Sequence, residues 1–431
     1  MEEDGNHNDV LININEMLVG ENSLLASCIY KVPHEIRKLK EDAYTPKIVS
    51  IGPFHHGDDK FLRMEELKRI YHRQFITERS ETKDSESFVS CVQELEAKIR
   101  DCYSDDTKLS EEDLATVILT DCCFILEFSL KLFFMITRAD FWFLPRKLVN
   151  LIYNDLFLLE NQVPFFVLEK LYNLAFPSAL SSGNHDSLPS LVSLILPILP
   201  EIYIVPGDNV EQYLSSVGGV AHFTDLYRKL LLRPSQLLQS PGYRRQTEVT
   251  HLYSASELNE LGVKFKVNKN SKCSLDLELS HHTLRIPFIV LNNFTEIVWR
   301  NLLAFEQCHF IEDSYFLDYI VALDFLINTD KDVDLLIKEG IIENWLGDSN
   351  AVTKMFNNLG AQVIKPDFNM RYANIFQELN AFSRRPCNQR IATLRRDYCS
   401  TPWTTVASIA GIFLLILTVI QTIFSILQVV H

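Results

Sequence analysis

The first 30 residues of this 431-residue chain contain no Lys or Arg, whereas residues 1–23 contain six acidic residues. A secretory signal starts with a positive region followed by an apolar one, so this composition does not predict a signal peptide. We interpret residues 1–23 as an acidic, flexible tail. The chain has nine Cys but no Cys-x-x-Cys pair, which argues against a zinc ribbon and a dithiol redox motif.

The sequence also lacks the motifs GxxxxGK[ST], GxGxxG, HExxH and GxSxG. Each of them places a catalytic or phosphate-binding group by a fixed backbone geometry. We therefore predict no cofactor, no metal ion and no catalytic residue, and we expect that the protein is not an enzyme. With 56 acidic and 41 basic residues the net charge is −15, so we predict no nucleic-acid partner.

Three polar clusters have an ordinary structural interpretation. Asp330, Asp332 and Asp334 have the spacing of a calcium loop, but that loop's Gly and Glu are missing, and a helix start explains the acids better. His55-His56 lies in a Gly/Pro-rich turn. The triplet Glu160-Asn161-Gln162 interrupts an apolar run, which predicts a hydrogen-bonded buried network more than a catalytic Glu.

In contrast to the acidic residues 1–23, the residues after Asp397 include no charged residue. The 25 residues from Val406 to Val430 are uncharged and would form a helix of about 37 Å, long enough for a hydrocarbon core of about 30 Å. We predict a transmembrane anchor at residues 403–430. The alternative is a buried core helix.

Charge predicts the orientation of this anchor. Five Arg and one Asp lie between Ser383 and Trp403, a local charge of +4, and positive flanks stay in the cytosol. We therefore predict a single-pass protein of the plasma membrane or an endomembrane, with its N-terminal domain cytosolic. Trp403, Arg395 and Arg396 would lie at the membrane interface. Only His431 follows the span, which is typical of a tail-anchored protein.

Small and polar residues form a stripe along the predicted span and recur every three or four positions. This spacing places them on one face of the helix, against which a second helix can pack. Such residues let helices approach and hydrogen-bond. We predict a homo- or hetero-oligomer through this stripe; the alternative is a plain anchor. The stripe comprises Ala407, Gly411, Thr418, Gln421, Ser425 and Gln428, with Leu414 between them.

The rest of the chain predicts a mainly α fold. Apolar residues recur with helical spacing along most of it. The segment Leu114–Met135 is apolar but contains Asp121, Glu127 and Lys131, and these ionisable residues favour a buried central helix over a second membrane span. Alternating residues after position 263 predict a small antiparallel β element. The predicted soluble domain covers residues 24–397: helical 24–176, an irregular crossing 177–250, a small sheet 251–291 and helical 292–397.

Several motifs, in order, resemble those of the plant domain-of-unknown-function 247 proteins, also called uncharacterised protein family 0481. The resemblance covers about residues 25 to 430. The motifs are CIYKVP at 28–33, YxPxxVSIGPFHHG at 44–57, Met64-Glu65, DCCFILE at 121–127, LENQVPFF at 159–166, AxELxxxGVKF at 255–265, RNLLAFE at 300–306, Asp332-Val333, GII at 340–342 and Pro402-Trp403.

The resemblance implies a plant membrane protein with a single C-terminal span and no established enzymatic activity. It also implies that some grass members act as pollen-side determinants of self-incompatibility, together with a small secreted stigma protein. A cytosolic domain would not meet such a protein directly, so the recognition would be intracellular or the topology inverted.

We therefore expect a recognition or signalling protein whose protein partner is unknown. One alternative is a membrane-tethered enzyme with an unrecognised site, for which Glu160, His55 and His56 would be the first residues to change. The other is a purely structural anchor.

Overall fold

The computed structural model of the chain describes residues 27–138, 144–180, 189–199, 209–233, 252–269, 271, 273–310, 313–361, 369–390, 393 and 402–430. Helices dominate this part of the chain, together with five short strands and one long apolar helix near the C-terminus. This confirms the predicted fold class. The boundaries proposed for the tail, the soluble domain and the anchor stay predictions.

The helices, numbered in chain order, are α1 His34–Arg37, α2 Leu62–Gln74, α3 Ser85–Glu94, α4 Glu96–Asp101, α5 Glu111–Arg138, α6 Arg146–Leu156, α7 Phe165–Ala175, α8 Leu191–Ile195, α9 Val210–Ser216, α10 Phe223–Leu231, α11 Ala255–Glu260, α12 Asn293–His309, α13 Tyr315–Leu326, α14 Asp330–Lys338, α15 Ser349–Gly360, α16 Met370–Ser383 and α17 Pro402–Val430. Short 3-10 turns cover Glu41–Ala43, Asp59–Phe61, Pro177–Leu180 and Leu196–Ile198, and a π turn covers Phe75–Arg79. The strands are β1 Lys264–Val267, β2 Glu278–Ser280, β3 Thr283–Ile286, β4 Ile289–Leu291 and β5 Ile342–Asn344.

Helix α5 is the central element of the N-terminal half. Three acidic residues occupy its first turn, where they interact favourably with the helix dipole. Its middle is buried and packs against α2, α3 and α7. The two acids within this buried stretch are paired: Asp121 with Lys68 at 2.5 Å, and Glu127 with Lys131 at 3.0 Å. The prediction of a buried central helix is therefore confirmed.

The small sheet is mixed. Strands β2 and β3 pair antiparallel across a tight turn, as predicted, and His281 and His282 in that turn have φ of 49° and 58°. Strand β1 pairs with β3 in parallel, in a register that joins Phe265 to Leu284. The alternating pattern therefore predicted the strands but not the direction of β1. A second parallel pair, β4 with β5, joins the sequence around 290 to the end of α14.

The predicted irregular crossing contains three helices, α8, α9 and α10. Ser190 and Asn209 cap the first two of them with their side chains, which explains how helices form in a segment rich in Pro and Ser. Helix α10 is buried over most of its length. The interpretation of 177–250 as irregular is therefore wrong for these stretches, and residues 181–188, 200–208 and 234–250 lie outside the described part.

The acidic cluster at 330–334 starts helix α14, as predicted. Thr329 and Asp332 form a capping box, and Asp332 also accepts a hydrogen bond of 2.7 Å from the backbone N–H of Ser256. Burial alone would raise the pKa of Asp332, but hydrogen bonds from Ser256, Ser254 and Thr329 outweigh it and lower the pKa. The carboxylate thus connects α14 to α11.

Candidate functional site

Residues 44–57, which we call the signature segment, cross the interior without forming a sheet ladder. Tyr44, Val49 and Ile51 are buried there. Buried backbone amides need hydrogen-bond partners, and with no neighbouring strand these must come from side chains. Asp155, at the end of α6, accepts three such bonds, from the N–H groups of residues 47, 48 and 49 at 2.9, 2.7 and 2.9 Å.

Asn161 holds the next part of the signature segment. Its Oδ1 accepts from the N–H of Ile51 at 2.7 Å, and its Nδ2 donates to the carbonyls of Val49 and Asp155 at 3.0 and 2.9 Å. An amide side chain can accept and donate at once, and here it does both across a sequence separation of about 110 residues. Asn161 therefore fixes the register between the signature segment and the end of α6.

An ion pair inside the protein completes this support. Asp121 of α5 accepts from the N–H of Gly52 at 2.8 Å, and Lys68 of α2 donates to the carbonyl of Ser50 at 2.8 Å. Burial opposes the charge on Lys68, but Asp121 and Glu65 outweigh it and raise the pKa of the ammonium group. Each member of the Lys68–Asp121 pair thus bonds to its counter-ion and to the backbone.

Gln162 and Asn301 connect this network to two further helices. Gln162 donates to the carbonyls of Leu156 and Leu158, both at 2.7 Å, and accepts from the N–H of Phe223 at the start of α10. Asn301 of α12 accepts from the N–H of Leu159 and donates to the carbonyl of residue 43. Side chains from α2, α5 and α12, together with those at and after the end of α6, therefore enclose the signature segment.

Glu160 lies with two basic groups at the edge of this network. Its carboxylate accepts from the N–H of Val32 at 2.6 Å, forms an ion pair with Arg37 of α1, and lies 3.2 Å from Nε2 of His55. Burial would raise the pKa of Glu160, but the bonds from His55, Arg37 and Val32 outweigh it and lower the pKa. Both oxygens are thus engaged by groups of the protein itself.

Of the three residues considered for catalysis, the structure brings two together. His55 and Glu160 are in contact, whereas His56 is exposed. The triplet 160–162 is the buried polar network that the sequence predicted. Sequence reasoning missed Asp155, Lys68 and Asn301. For Lys68 one signal was available, because it lies on the same buried face of α2 as Met64 and Tyr71.

Burial also acts on Asp155. It raises the pKa of this carboxyl to about 6, against the opposing effect of the three backbone N–H bonds. At neutral pH the group is ionised and accepts all three bonds. Within the part of the chain that the structure describes, no cluster of three or more His, Cys, Asp or Glu residues is arranged to hold a metal ion.

Two surface grooves lie away from Glu160. One, with a volume of about 620 Å³, lies between α2, residues 47–48 and the start of α6; its floor includes Ile48, Leu67 and Leu148. The other, of about 510 Å³, lies between α10 and the end of α12 and includes Arg228, which pairs with Glu306 at 2.7 Å. Neither groove is lined by Glu160, His55 or His56.

Helix α17 contains the residues predicted for membrane packing. Its segment Val406–Ser425 has a mean hydropathy of 2.4, and no part of it is buried in the protein. It is the one described helix long and apolar enough to cross a membrane. All six predicted stripe residues are exposed on it: Ala407, Gly411, Thr418, Gln421, Ser425 and Gln428.

Two details of α17 bear on the predicted stripe. A Cβ added to Gly411 would meet no other atom within 4 Å, and Thr418 donates its hydroxyl back to the carbonyl of Leu414 at 2.8 Å. Trp403 is 82% exposed, as an interface anchor requires, whereas Arg395 and Arg396 lie outside the described residues. The packing and interface roles stay predictions.

Comparison with known proteins decides the family. The profile of DUF247, described as a plant protein of unknown function, matches residues 29–417. The chain belongs to the DUF247 family. Among its relatives, the UPF0481 protein At3g47200 of Arabidopsis thaliana is 31% identical over 93% of this chain and 86% of its own length. The UPF0481 protein At3g02645 of the same plant is 24% identical over 91% of this chain and 89% of its own length. No solved structure matches.

Several polar side chains of the network, though not Asp155 or Lys68, belong to the motifs in which this chain resembles the DUF247 proteins. Asp121, the triplet 160–162 and Asn301 all lie in those motifs, and each bonds to backbone or to a neighbouring side chain of the fold. Three of the motifs, at 121–127, 159–166 and 300–306, thus supply side chains that support the signature segment and its flanks.

Gly52→Ala should destabilise the protein more than the matched control Gly57→Ala. Both glycines have positive φ, 74° and 86°, so each change costs about 1–2 kcal/mol from the backbone alone. A Cβ at residue 52 would also overlap the carbonyl oxygen of Gln162, whereas one at residue 57 meets nothing within 4 Å. We expect an additional loss of about 2 kcal/mol for Gly52→Ala, measured by urea unfolding of the full chain in detergent. Equal losses for the two variants would contradict this close packing.

Gly411→Ile combined with Gln421→Leu should weaken self-association of the span. The larger side chain keeps the helices apart, and the second change removes an interhelical hydrogen bond of about 0.6–2 kcal/mol. The measurement is a membrane-helix association assay on residues 402–430. The control Ile416→Phe with Ile423→Leu alters the opposite face and should leave the signal intact. An unchanged signal in the stripe variant would show that the stripe does not pack.

Proposed function

We propose that this DUF247 protein is a membrane-anchored recognition or signalling component without catalytic activity. Its helical domain binds another protein, and α17 places that domain at a membrane. The observation that carries the proposal is the state of Glu160, the carboxylate for which the sequence allowed a catalytic role. Both of its oxygens contact the protein's own groups.

The geometry of Glu160 supports this argument most directly. A general acid or base needs an oxygen within reach of a substrate proton. Both oxygens of Glu160 instead contact Val32, Arg37 and His55, and the residue is 5% exposed. Asp121 and Asp155 likewise bond to backbone N–H groups. These contacts fit a structural role.

The exposed apolar surface of α17 supports the membrane part of the proposal. Residues Val406–Ser425 present a continuous apolar surface that the described domain does not cover. In water such a surface would be strongly unfavourable, whereas in a bilayer it is solvated. The five Arg between positions 383 and 403 would keep the preceding domain in the cytosol.

Two narrower statements belong to the same proposal. The span forms homo- or hetero-oligomers through the stripe defined above. The partner belongs to a recognition process of the kind that the family resemblance implies, self-incompatibility being one example. With a cytosolic domain, this recognition takes place inside the cell, at the plasma membrane or an endomembrane.

One observation favours a second candidate, a membrane-tethered enzyme. Nε2 of His55 lies 3.2 Å from a carboxylate oxygen of Glu160, which places a base and an acid of the kind that enzymes use side by side. The same contact also stabilises a fold in which Glu160 is nearly buried. A stability measurement on Glu160→Gln, described below, separates the two candidates without knowledge of a substrate.

A topology measurement tests the orientation. A glycosylation acceptor is fused in turn to the N-terminus and after His431, and the shift that endoglycosidase removes is scored in membranes. We expect modification of the C-terminal tag only, because the Arg-rich flank keeps the domain cytosolic. Modification of the N-terminal tag would reverse the orientation and place the domain where it could meet a secreted protein.

Glu160→Gln tests the structural role of the carboxylate. Breaking a buried ion pair leaves Arg37 without its counter-ion, so we expect unfolding to become easier by about 2–3 kcal/mol. The control Glu169→Gln changes a carboxyl on the exposed side of α7 and should alter stability by less than about 0.5 kcal/mol. Both are measured by thermal unfolding of the full chain. A gain in stability for Glu160→Gln would favour the enzyme, because active-site charges are often held at a cost to stability.

A further inference from the structure

Cys28 and Cys102 lie beside each other although 73 residues separate them in the sequence. The N–H groups of Cys28 and Ile29 both donate to the carbonyl of Cys102, at 2.9 and 2.8 Å. Ile29 and Tyr103 then form a parallel β-bridge, and the N–H of Ser104 donates to the carbonyl of Ile29. Residues 27–32, which we call the strap, therefore run alongside the residues that follow α4.

This pairing gives the two cysteines the separation that a disulfide needs. Neighbouring strands lie about 4.8 Å apart, and disulfides join residues whose Cα atoms are about 4.4–6.8 Å apart. Cys28 and Cys102 each precede one of the two bridged residues, and the backbone N–H of Cys28 bonds directly to the carbonyl of Cys102. The side chains are close enough for a hydrogen bond between the two thiols.

The same hydrogen bond makes the two sulfurs chemically different. This hydrogen bond raises the pKa of Cys28 and lowers the pKa of Cys102, and nearby Lys98 lowers the latter further. The thiol of Cys102 also donates to the carbonyl of Lys98 at 3.3 Å. Burial raises the pKa of Cys91 and raises that of Cys308 to about 11. Both Cys28 and Cys102 are partly exposed, so a small oxidant can reach them.

We propose that Cys28 and Cys102 are a redox modification site, at which a peroxide joins them reversibly in a disulfide. The thiolate of Cys102 attacks one oxygen of hydrogen peroxide, which gives a sulfenic acid and hydroxide. The thiol of Cys28 then attacks the sulfenic sulfur, the S–S bond forms, and water leaves. In total two thiols and one hydrogen peroxide give one disulfide and two water molecules, and a dithiol reductant reverses the step.

The position of the strap gives this disulfide a structural effect. The carbonyl of Cys28 accepts from Nε2 of the buried His222 at 2.8 Å, Tyr30 bonds to His309, and the N–H of Val32 donates to Glu160. The strap thus contacts α10, α12 and the buried network. The disulfide would fix the strap against α4 and hold these three contacts in place.

Mass spectrometry of the full chain in detergent tests the proposal. The chain is treated with hydrogen peroxide, its free thiols are alkylated, and it is digested with trypsin without reduction. Cleavage after Lys31, Arg100 and Lys108 places the two cysteines in separate peptides, 1–31 and 101–108. We expect these peptides linked in the wild type and in the control Cys91→Ser, and separated again by dithiothreitol. The link should be absent in Cys28→Ala and in Cys102→Ala.

Alkylation rates provide a second readout that does not depend on the link. Iodoacetamide at pH 7 should modify Cys102 several-fold faster than Cys308 in the folded wild type, because more of Cys102 is thiolate. Cys28→Ala removes the hydrogen bond between the two thiols and should slow the alkylation of Cys102. Thermal unfolding of each variant checks that it is folded.

Either of two results would overturn the proposal. In one, peroxide leaves peptides 1–31 and 101–108 unlinked while both cysteines are oxidised separately. In the other, the link forms equally well in wild type unfolded in urea, which would show that the fold does not bring the two sulfurs together. Both results leave the proposed recognition function untouched, since that function does not depend on the strap.

Discussion

The fold depends on supplying hydrogen bonds to a backbone segment that has no neighbouring strand. Residues 44–57 cross the interior, and each of their buried amides would cost about 1–3 kcal/mol if it stayed unpaired. Asp155, Asn161, Asp121 and Lys68 provide the partners that a sheet would otherwise supply. Buried charge is tolerated here because each charged group has either an opposite charge or several N–H donors as its partners. These partners are held in a fixed geometry.

Local features were predictable from the sequence because local forces decide them. The apolar spacing of α2 reflects one buried face, the continuous apolar run of α5 reflects a helix buried on all sides, and the acids at 330–334 favour the start of a helix. The polar triplet 160–162 could be predicted as a buried network because three polar residues in an apolar run need partners. Their partners could not be predicted, since Asn161 meets residues 49 and 51 across about 110 positions and Asn301 meets residue 43 across 258.

The errors have the same origin. Strand β1 was expected to pair antiparallel because alternation and short turns indicate hairpins, yet it pairs with β3 in parallel, a direction that alternation within one strand does not determine. Helices α8 to α10 were missed because side-chain caps and burial outweigh the low helix propensity of Pro- and Ser-rich sequence. The long apolar helix α17 needed no tertiary information, since length and composition alone identify a helix that could cross a membrane.

The long-range bond from Asn301 to the carbonyl of residue 43 has a consequence for synthesis on the ribosome. At about 5–20 residues per second, residue 301 is made roughly 13 to 50 s after residue 43. Throughout that interval the carbonyl of residue 43 lacks this partner, and the turn at Glu41–Ala43 lacks its packing against α12. A nascent chain of this protein therefore passes through a long period in which its N-terminal half lacks the contacts that α12 provides, and exposed apolar surface of this kind is what chaperones protect from aggregation.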